Sequence, residues 1–234
     1  MTRRAPFPKP LLTLASLDSA QPGLTVMGAF HPGPGDGVAA GFQTLVLLGP
    51  SADFWSVLRQ APEFSGPDPV DTWSARIIPA LARRLGGHAY LPFGGPPYAP
   101  FLRWARASGR AWASPLGMLV HDTHGLWVSY RGAVAIPERL PLPVPGQAPC
   151  ATCAGRPCLS ACPAGAWSRD ETGAPSYDAD GCRSYLDDAP RGGCLDRGCA
   201  ARRACPVSVG AGRQDAQSAH HMAYFHIPAR ASKL

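Results

Sequence analysis

Apolar positions along this chain come in short bursts separated by glycine- and proline-rich breaks. Residues 43–49 (QTLVLLG) are an uninterrupted apolar run with the length and flanks of a buried strand. Pro50 and Ser51 turn the chain into a segment where Phe54, Trp55 and Leu58 are spaced for one helix face. A second helix is marked by Trp73, Ile77, Leu81 and Leu85 at every fourth position, with Asp71 as its N-cap and Gly86-Gly87 as its end. Pro79 inside that pattern predicts a kink or a break at the preceding turn. A third helix carries Phe101, Trp104 and Ala105 and closes at Gly109. Strand-forming residues fill 126–136, interrupted by Gly132. Near the end, Ala216, Ala219, Met222 or Ala223, and His226 recur at helical intervals and predict a terminal helix over 213–226.

Between these elements, residues 30–41 and 91–100 are loops by their punctuation. Residues 139–147 (RLPLPVPGQ) alternate proline with other residues and predict an extended linker. The chain therefore divides into an α+β region over 1–138, a linker over 139–149 and a second region over 150–234. The aromatic face of the second helix is assigned to the core rather than to a cofactor.

Composition sharpens this picture. Only 16% of residues are charged, and there are 26 glycines and 27 prolines, so much of the chain is loop and turn. The formal net charge is +6, but the arginines are scattered and form no basic stripe with interleaved aromatics, so nucleic acid is not an expected partner. Such a charge suits an acidic redox partner or a phosphate-bearing ligand. Arg3-Arg4 invites an export reading, yet residues 5–24 are broken by Pro, Ser, Asp and Gln and hold no continuous apolar core. No run approaches 18 apolar residues, so no membrane association is expected. The terminal Ser232-Lys233-Leu234 matches a peroxisomal address, a short match that chance supplies readily. A reducing cytoplasm is the expected compartment, because free thiolates persist there.

All eight cysteines fall in one stretch, as Cys150-x2-Cys153-x4-Cys158-x3-Cys162-Pro163, an isolated Cys182, and Cys194-x4-Cys199-x5-Cys205-Pro206. Thiolate sulfur selects iron-sulfur clusters, zinc or copper(I) over harder ions. Two zinc sites of four cysteines use the same number of ligands. A disulfide framework does too, but needs an exported chain. Both halves end in Cys-Pro, where proline drives the preceding residue out of the helical region and the chain leaves the loop extended.

Other chemistry is sparse. No Gly-x-Gly-x-x-Gly opens a helix after a strand, and no Walker-type phosphate loop occurs. His121 and His124 flank Asp122, as a metal or acid-base site or as a hydrogen-bonded pair at a strand entrance. His31 sits in a loop, at the surface or facing a ligand. Arg131 suits a ligand phosphate or carboxylate, or a buried ion pair. Of His220 and His221, adjacent on a helix, only one can face any given side.

The cysteine pattern resembles that of bacterial ferredoxins, C-x2-C-x2-C-x3-C-P, where the fourth cysteine ligates the other cluster. Carried onto this chain, the interlaced arrangement implies one 4Fe-4S cluster on Cys150, Cys153, Cys158 and Cys205 and another on Cys162, Cys182, Cys194 and Cys199. The spacings x4 before Cys158 and x4 and x5 in the second half depart from the ferredoxin pattern. Cys162-Pro163-Ala164-Gly165-Ala166 and Cys182-Arg183-Ser184-Tyr185-Leu186 are similar to the ferredoxin-like module of epoxyqueuosine reductase. In the first region, Ala29-Phe30-His31-Pro32, the strand at 45–50, Asp68-Pro69-Val70-Asp71 and His121-x3-Gly125-x-Trp127-x3-Arg131-Gly132-x-Val134 resemble, in that order, the cobalamin-processing CblC-type decyanase and dealkylase family.

Together these resemblances imply a flavin-nitroreductase-like α+β domain followed by a bacterial-ferredoxin-like module with two 4Fe-4S clusters. They imply a pocket for cobalamin, or alternatively flavin, bordered by His31, His121, His124 and Arg131. Asp122-Thr123-His124-Gly125 begins an Asp-x-His-x-x-Gly motif, but Trp127 stands in place of its glycine. The resemblance therefore implies a cobalamin bound without a lower histidine from that motif. Two functions follow as expectations. One is a reductase, fed by a partner protein, that passes electrons through both clusters to the corrinoid or flavin and on to a small molecule. The other is an electron carrier or cobalamin-trafficking protein with no catalysis of its own. A pocket where residues 30–37, 91–100 and 121–131 converge would favour the first.

Overall fold

The apolar run near residue 45 is a strand with both faces covered, which is why it reads as continuous rather than alternating. The computed structural model describes residues 12–189 and 191–226; Arg3-Arg4 and the terminal Ser-Lys-Leu lie outside them. The elements in chain order are α1 (Leu14–Asp18), β1 (Leu24–Phe30), β2 (Thr44–Pro50), α2 (Phe54–Gln60), α3 (Pro69–Arg84), β3 (His88–Tyr90), α4 (Phe101–Ala107), β4 (Ala111–Ala113), β5 (Leu119–His121) and β6 (Gly132–Ile136). After an extended stretch come α5 (Pro149–Thr152), β7 (Trp167–Arg169), β8 (Pro175–Tyr177), α6 (Ala179–Asp187), α7 (Cys194–Arg197), α8 (Ala200–Arg203) and α9 (Asp215–Phe225). The architecture is mixed α and β with small antiparallel sheets.

The main sheet has the order β1-β2-β6-β3, antiparallel throughout. Val46 and Leu48 with Val134 and Ile136 face a core completed by Phe54, Trp55 and Leu58 of α2 and by Trp73, Ile77, Ile78 and Leu81 of α3. Leu45 and Leu47 with Ala133 and Ala135 face the other way, onto Phe101, Trp104 and Ala105 of α4. The alternation expected of a strand is thus intact, with apolar residues on both sides. In β1 the register shifts between Val26 and Gly28, so Val26 and Ala29 share one face while Met27 and Phe30 share the other. That bulge changes the phase of alternation, which is why β1 carries no period-two signal in the sequence.

Three local expectations are corrected. Asp68, not Asp71, is the N-cap of α3, in left-handed geometry at φ 46° and without a side-chain capping bond. Asp71 lies in the first turn, where its charge favours the helix N-terminus, and its Oδ1 accepts from Nη1 of Arg131 at 3.1 Å. Pro79 does not break α3. The proline removes the hydrogen bond to the Ala75 carbonyl, but Ala75 is exposed to water, and buried Ile77, Ile78, Leu81 and Ala82 hold the turns on either side. The strand expected over 126–136 begins only at Gly132, because 122–131 turn back on His121, whose backbone bridges Gly125, and then cross to the second half of the chain. The Gly86-Gly87 ending of α3 is present, with Gly86 at φ 61° and the Gly87 N–H donating to the Ala82 carbonyl.

Residues 137–148 form neither helix nor strand, yet Leu140 is buried in the main core and its N–H donates to Thr44 Oγ1 at 2.9 Å. A third core joins the two halves: Leu116, Val120 and Leu126 from the first pack on Cys158, Ala201 and Cys205 from the second. The Leu126 N–H donates to Ser208 Oγ at 2.9 Å, and Arg202 Nη1 donates to the Leu126 carbonyl at 3.0 Å. Among the described residues no helix is long and apolar enough to cross a membrane.

Two four-cysteine cavities

The cysteine stretch folds into short helices and turns that cannot bury a core of their own, and its sulfurs line two cavities. The first, of about 550 Å³, is lined by Cys150, Cys153, Cys158 and Cys205. The second, of about 570 Å³, is lined by Cys162, Cys182, Cys194 and Cys199. The sets are interlaced along the chain, since Cys158 and Cys162 go to different cavities, as do Cys199 and Cys205. Cys158 and Cys162 are four positions apart in the sequence, so their Cα atoms lie no more than about 14 Å apart.

Local structure explains the sorting. Cys150 stands on α5 and Cys158 on a 3-10 turn at Pro157–Leu159. Cys205 follows α8 in extended geometry, at ψ 122°, and Pro206 then opens another 3-10 turn. Cys182 sits on α6, whose N-cap Asp178 accepts from the Gly181 N–H at 2.8 Å. The β7-β8 hairpin returns the chain between Cys162 and Cys182, with the Trp167 and Tyr177 rings stacked 4.3 Å apart.

All eight thiols are free. Burial pushes the Cys150 and Cys158 thiols up, and neighbouring Cys205 and Cys153 push both in the same direction. Burial also raises Cys182; a hydrogen bond from Tyr177 opposes this, and Cys162, Cys199 and Cys194 add to it. Four thiolates gathered in one place therefore need a cation to hold them ionised, and a bound metal centre inverts this pKa logic. Among the described residues no three His, Cys, Asp or Glu side chains are drawn together tightly enough for a single metal ion. Thiolates around one zinc would stand about 3.8 Å apart at a Zn–S length of about 2.3 Å. Four cysteines in each set match the ligand type and number of a four-iron cluster.

The surroundings of the two cavities differ. Val120, Leu126 and Val207 wall the first, with Arg156 at its rim. Trp127, Ser129 and Arg131 from the first half of the chain wall the second, with Arg202, Arg213 and His221 from the second half. The Arg213 guanidinium lies over the Trp127 ring, 5.2 Å from its centroid, and its Nε donates to Ser218 Oγ at 3.0 Å. Burial, then Arg202 and Arg131, lower Arg213 to about 9; burial, then Arg213 and Arg131, lower His221 to about 3, so this histidine is neutral at pH 7. Gly198 is required here: its φ is 78°, and a Cβ would stand 2.8 Å from the Trp127 ring and 2.9 Å from Ser218 Cβ.

The pocket residues implied by resemblance separate. Arg131 borders the second cavity; His31, His121 and His124 border neither. His31 Nε2 donates to the Leu140 carbonyl at 2.9 Å. His121 is fully buried, with Nε2 donating to the Met27 carbonyl at 2.7 Å and Nδ1 accepting from the Thr123 N–H at 3.2 Å. Both of its nitrogens are thus engaged within the protein, and Asp122 is held bidentately by Arg110 at 2.8 Å for each contact. Neither cavity takes a lining residue from 30–37 or 91–100. The loop after β1 is instead tied to α4 and β3, through Trp104 Nε1 donating to the Asp36 carbonyl and the Ala39 N–H donating to Tyr90 Oη, each at 2.8 Å.

The terminal helix is present as α9; of the expected face Met222 borders the second cavity and His226 is buried, while Ala216 and Ala223 are exposed and Ser218, His221 and Phe225 also border the cavity. His220 points elsewhere, its ring 5.1 Å from that of Trp55. Tyr177, Arg202 and Arg213 border the second cavity without any marking in the sequence, because no spacing rule ties them to the cysteines. Comparison of the chain with protein-family models, curated proteins and solved structures finds no match.

Proposed function

We propose that this protein is an iron-sulfur electron-transfer protein, with one 4Fe-4S cluster on each set of four cysteines, and that it works as a reductase whose electrons leave from the second cavity. The observation that carries the reading is the partition of eight free cysteines into two interlaced sets of four, each lining its own cavity. A bound cluster supplies one-electron exchange at a potential set by net charge, hydrogen bonds to sulfur and solvent exposure. The chain supplies the settings. Tyr177 borders the second cavity beside Cys182 and lowers that thiol's pKa against the effect of burial. Buried Arg202, close enough to Cys199 to feel its charge, offsets negative charge in the second cavity. Buried Leu126 and Val120 form an apolar part of the wall of the first.

The exit is assigned to the second cavity because it continues past the cysteines to groups that could grip an acceptor. A corrinoid, with flavin as the alternative, is the acceptor we infer from the sequence resemblance; of the residues that resemblance implies, only Arg131 borders the cavity. Residues 30–37 and 91–100 border neither cavity, which counts against the reductase and keeps the electron carrier as the second reading.

Anaerobic reconstitution with iron and sulfide, followed by hydroxocobalamin or FMN, gel filtration, an iron count and a visible spectrum, tests this. About eight irons per chain with a co-eluting corrinoid or flavin are expected. Uptake of two zinc ions with no iron would overturn the clusters. Retention of eight irons while both cofactors wash through would replace the reductase with an electron carrier.

A further inference from the structure

Arg131, Arg202 and Arg213 concentrate positive charge on one cavity that also holds four cysteines. Among the described residues Asp71 is the only carboxylate paired with any of the three arginines. Like charges in a partly desolvated space are costly unless something negative joins them. Arg202 has an explanation in hand, since Cys199 and Tyr177 are the charges acting on it. Arg131 and Arg213 do not: Arg131 responds to Asp71, and Arg213 responds to Arg202 and Arg131, with no thiol acting on either. Both border the cavity together with Ser129, to which Arg131 donates, and His221.

Their hydrogen bonding is also incomplete. Nε of Arg131 is buried with no partner, and its Nη atoms reach only Asp71 and Ser129. Arg213 spends Nε on Ser218, while the Trp127 face fixes the plane of its guanidinium. A guanidinium held in place with free donors is preorganised for a forked contact to an oxyanion. Trp127, Met222 and Phe225 offer an apolar wall for the rest of a ligand, and about 570 Å³ lies within the usual range for small-molecule sites.

We infer that the side of the second cavity bordered by Arg131 and Arg213 is a binding site for the phosphate or carboxylate group of a small molecule, seated beside the cysteine set of Cys162, Cys182, Cys194 and Cys199. As an anion site this stands on the arginines alone; as the seat of an electron acceptor it rests on the electron-transfer reading above.

The test is calorimetric titration of the anaerobically reconstituted full chain with inorganic phosphate and, separately, with succinate. Saturable binding of one probe is expected, and which one binds assigns the oxyanion class. Arg213→Gln and Arg131→Gln should each weaken it at least tenfold at unchanged iron content. Arg131→Lys, a gentler change that keeps the charge but loses the fork, should also weaken it. Binding of neither probe, or equal binding by wild type and all three variants, would overturn the site, as would loss of iron rather than of anion in Arg213→Gln. Failure of the electron-transfer reading looks different: no iron is taken up, and phosphate or succinate still binds the wild-type chain.

Discussion

Each of the two cavities is lined by four thiols of its own, and beyond that number they share little. The first is walled on one side by aliphatic side chains, Val120, Leu126 and Val207, of which Val120 and Leu126 come from the opposite half of the molecule, and opens past exposed Thr152 and Arg156. The second is bordered by three arginines, a neutral histidine and the aromatic rings of Trp127, Trp167 and Tyr177. Thiols decide what kind of centre can bind, whereas charge, hydrogen bonds and dielectric decide its potential. In the proposed relay, clusters with the same ligands but different surroundings would differ in potential: a less polar site would favour the less charged, oxidised form, and a cationic site the reduced one.

The sharpest way to break this comparison is to cross the interlacing. Cys199 and Cys205 are six residues apart but border different cavities. Cys205→Ser should remove the cluster shared with Cys150, and Cys199→Ser the one shared with Cys182, each lowering iron from about eight to about four per chain. Electron paramagnetic resonance of the reduced variants should lose different signals; loss of the same signal in both would refute the pairing.

Next in size is the wall of the first cavity. Leu126 is 1% exposed, so Leu126→Ala should cost about 2–5 kcal/mol of stability. Denaturant unfolding measures the cost, and the first cluster's signal should decay faster in air than the second's. Equal decay of the two would mean that Leu126 does not keep the first site dry.

A third outcome concerns pH and a residue outside both cavities. Burial holds His121 down at about 4, against 6.5 for a free histidine. A histidine kept neutral by the fold resists a proton that the unfolded chain accepts, so its contribution is intact above pH 6.5 and is lost as pH falls from there toward 4. The loss should total about 3 kcal/mol, and His121→Asn should flatten that part of the stability profile while leaving iron content unchanged. An unchanged slope in the variant would remove His121 as its source.

The smallest effect is expected at the Arg197–Asp215 pair between α7 and α9, which is more than half exposed on both sides. Arg197→Ala should cost about 0–1 kcal/mol and alter neither cluster. A change in the second cluster's potential in this variant would show that exposed charge reaches the cavity, contrary to the role given to the buried arginines.

Parts of this were legible in the sequence because the signal is local. The apolar run at 43–49, the fourfold spacing of Trp73, Ile77 and Leu81, and the glycines after α3 each act within a few residues. So do Cys-Pro at 162–163 and at 205–206; Cys150, Cys153, Cys158 and Cys205 line one cavity and Cys162, Cys182, Cys194 and Cys199 the other. Other parts were hidden by competing effects. The bulge in β1 erases its alternation, β3 is three residues long, and α9 turns Ser218 and His221 to the second cavity while Ala216 and Ala223 of the expected face are exposed.

What the sequence determined by itself is the kind of donor, the number of donors and the order in which the chain presents them, since thiolate softness and short-loop geometry need nothing from the rest of the fold. Only the tertiary structure decided that Arg131 joins Arg202 and Arg213, about 70 and 80 residues further along, and that His31 and His121 spend their hydrogen bonds on backbone carbonyls instead of a ligand. Those outcomes depend on which surfaces are buried together. No spacing along the chain records that, because the third core, which closes one half on the other, exists only once both halves have folded.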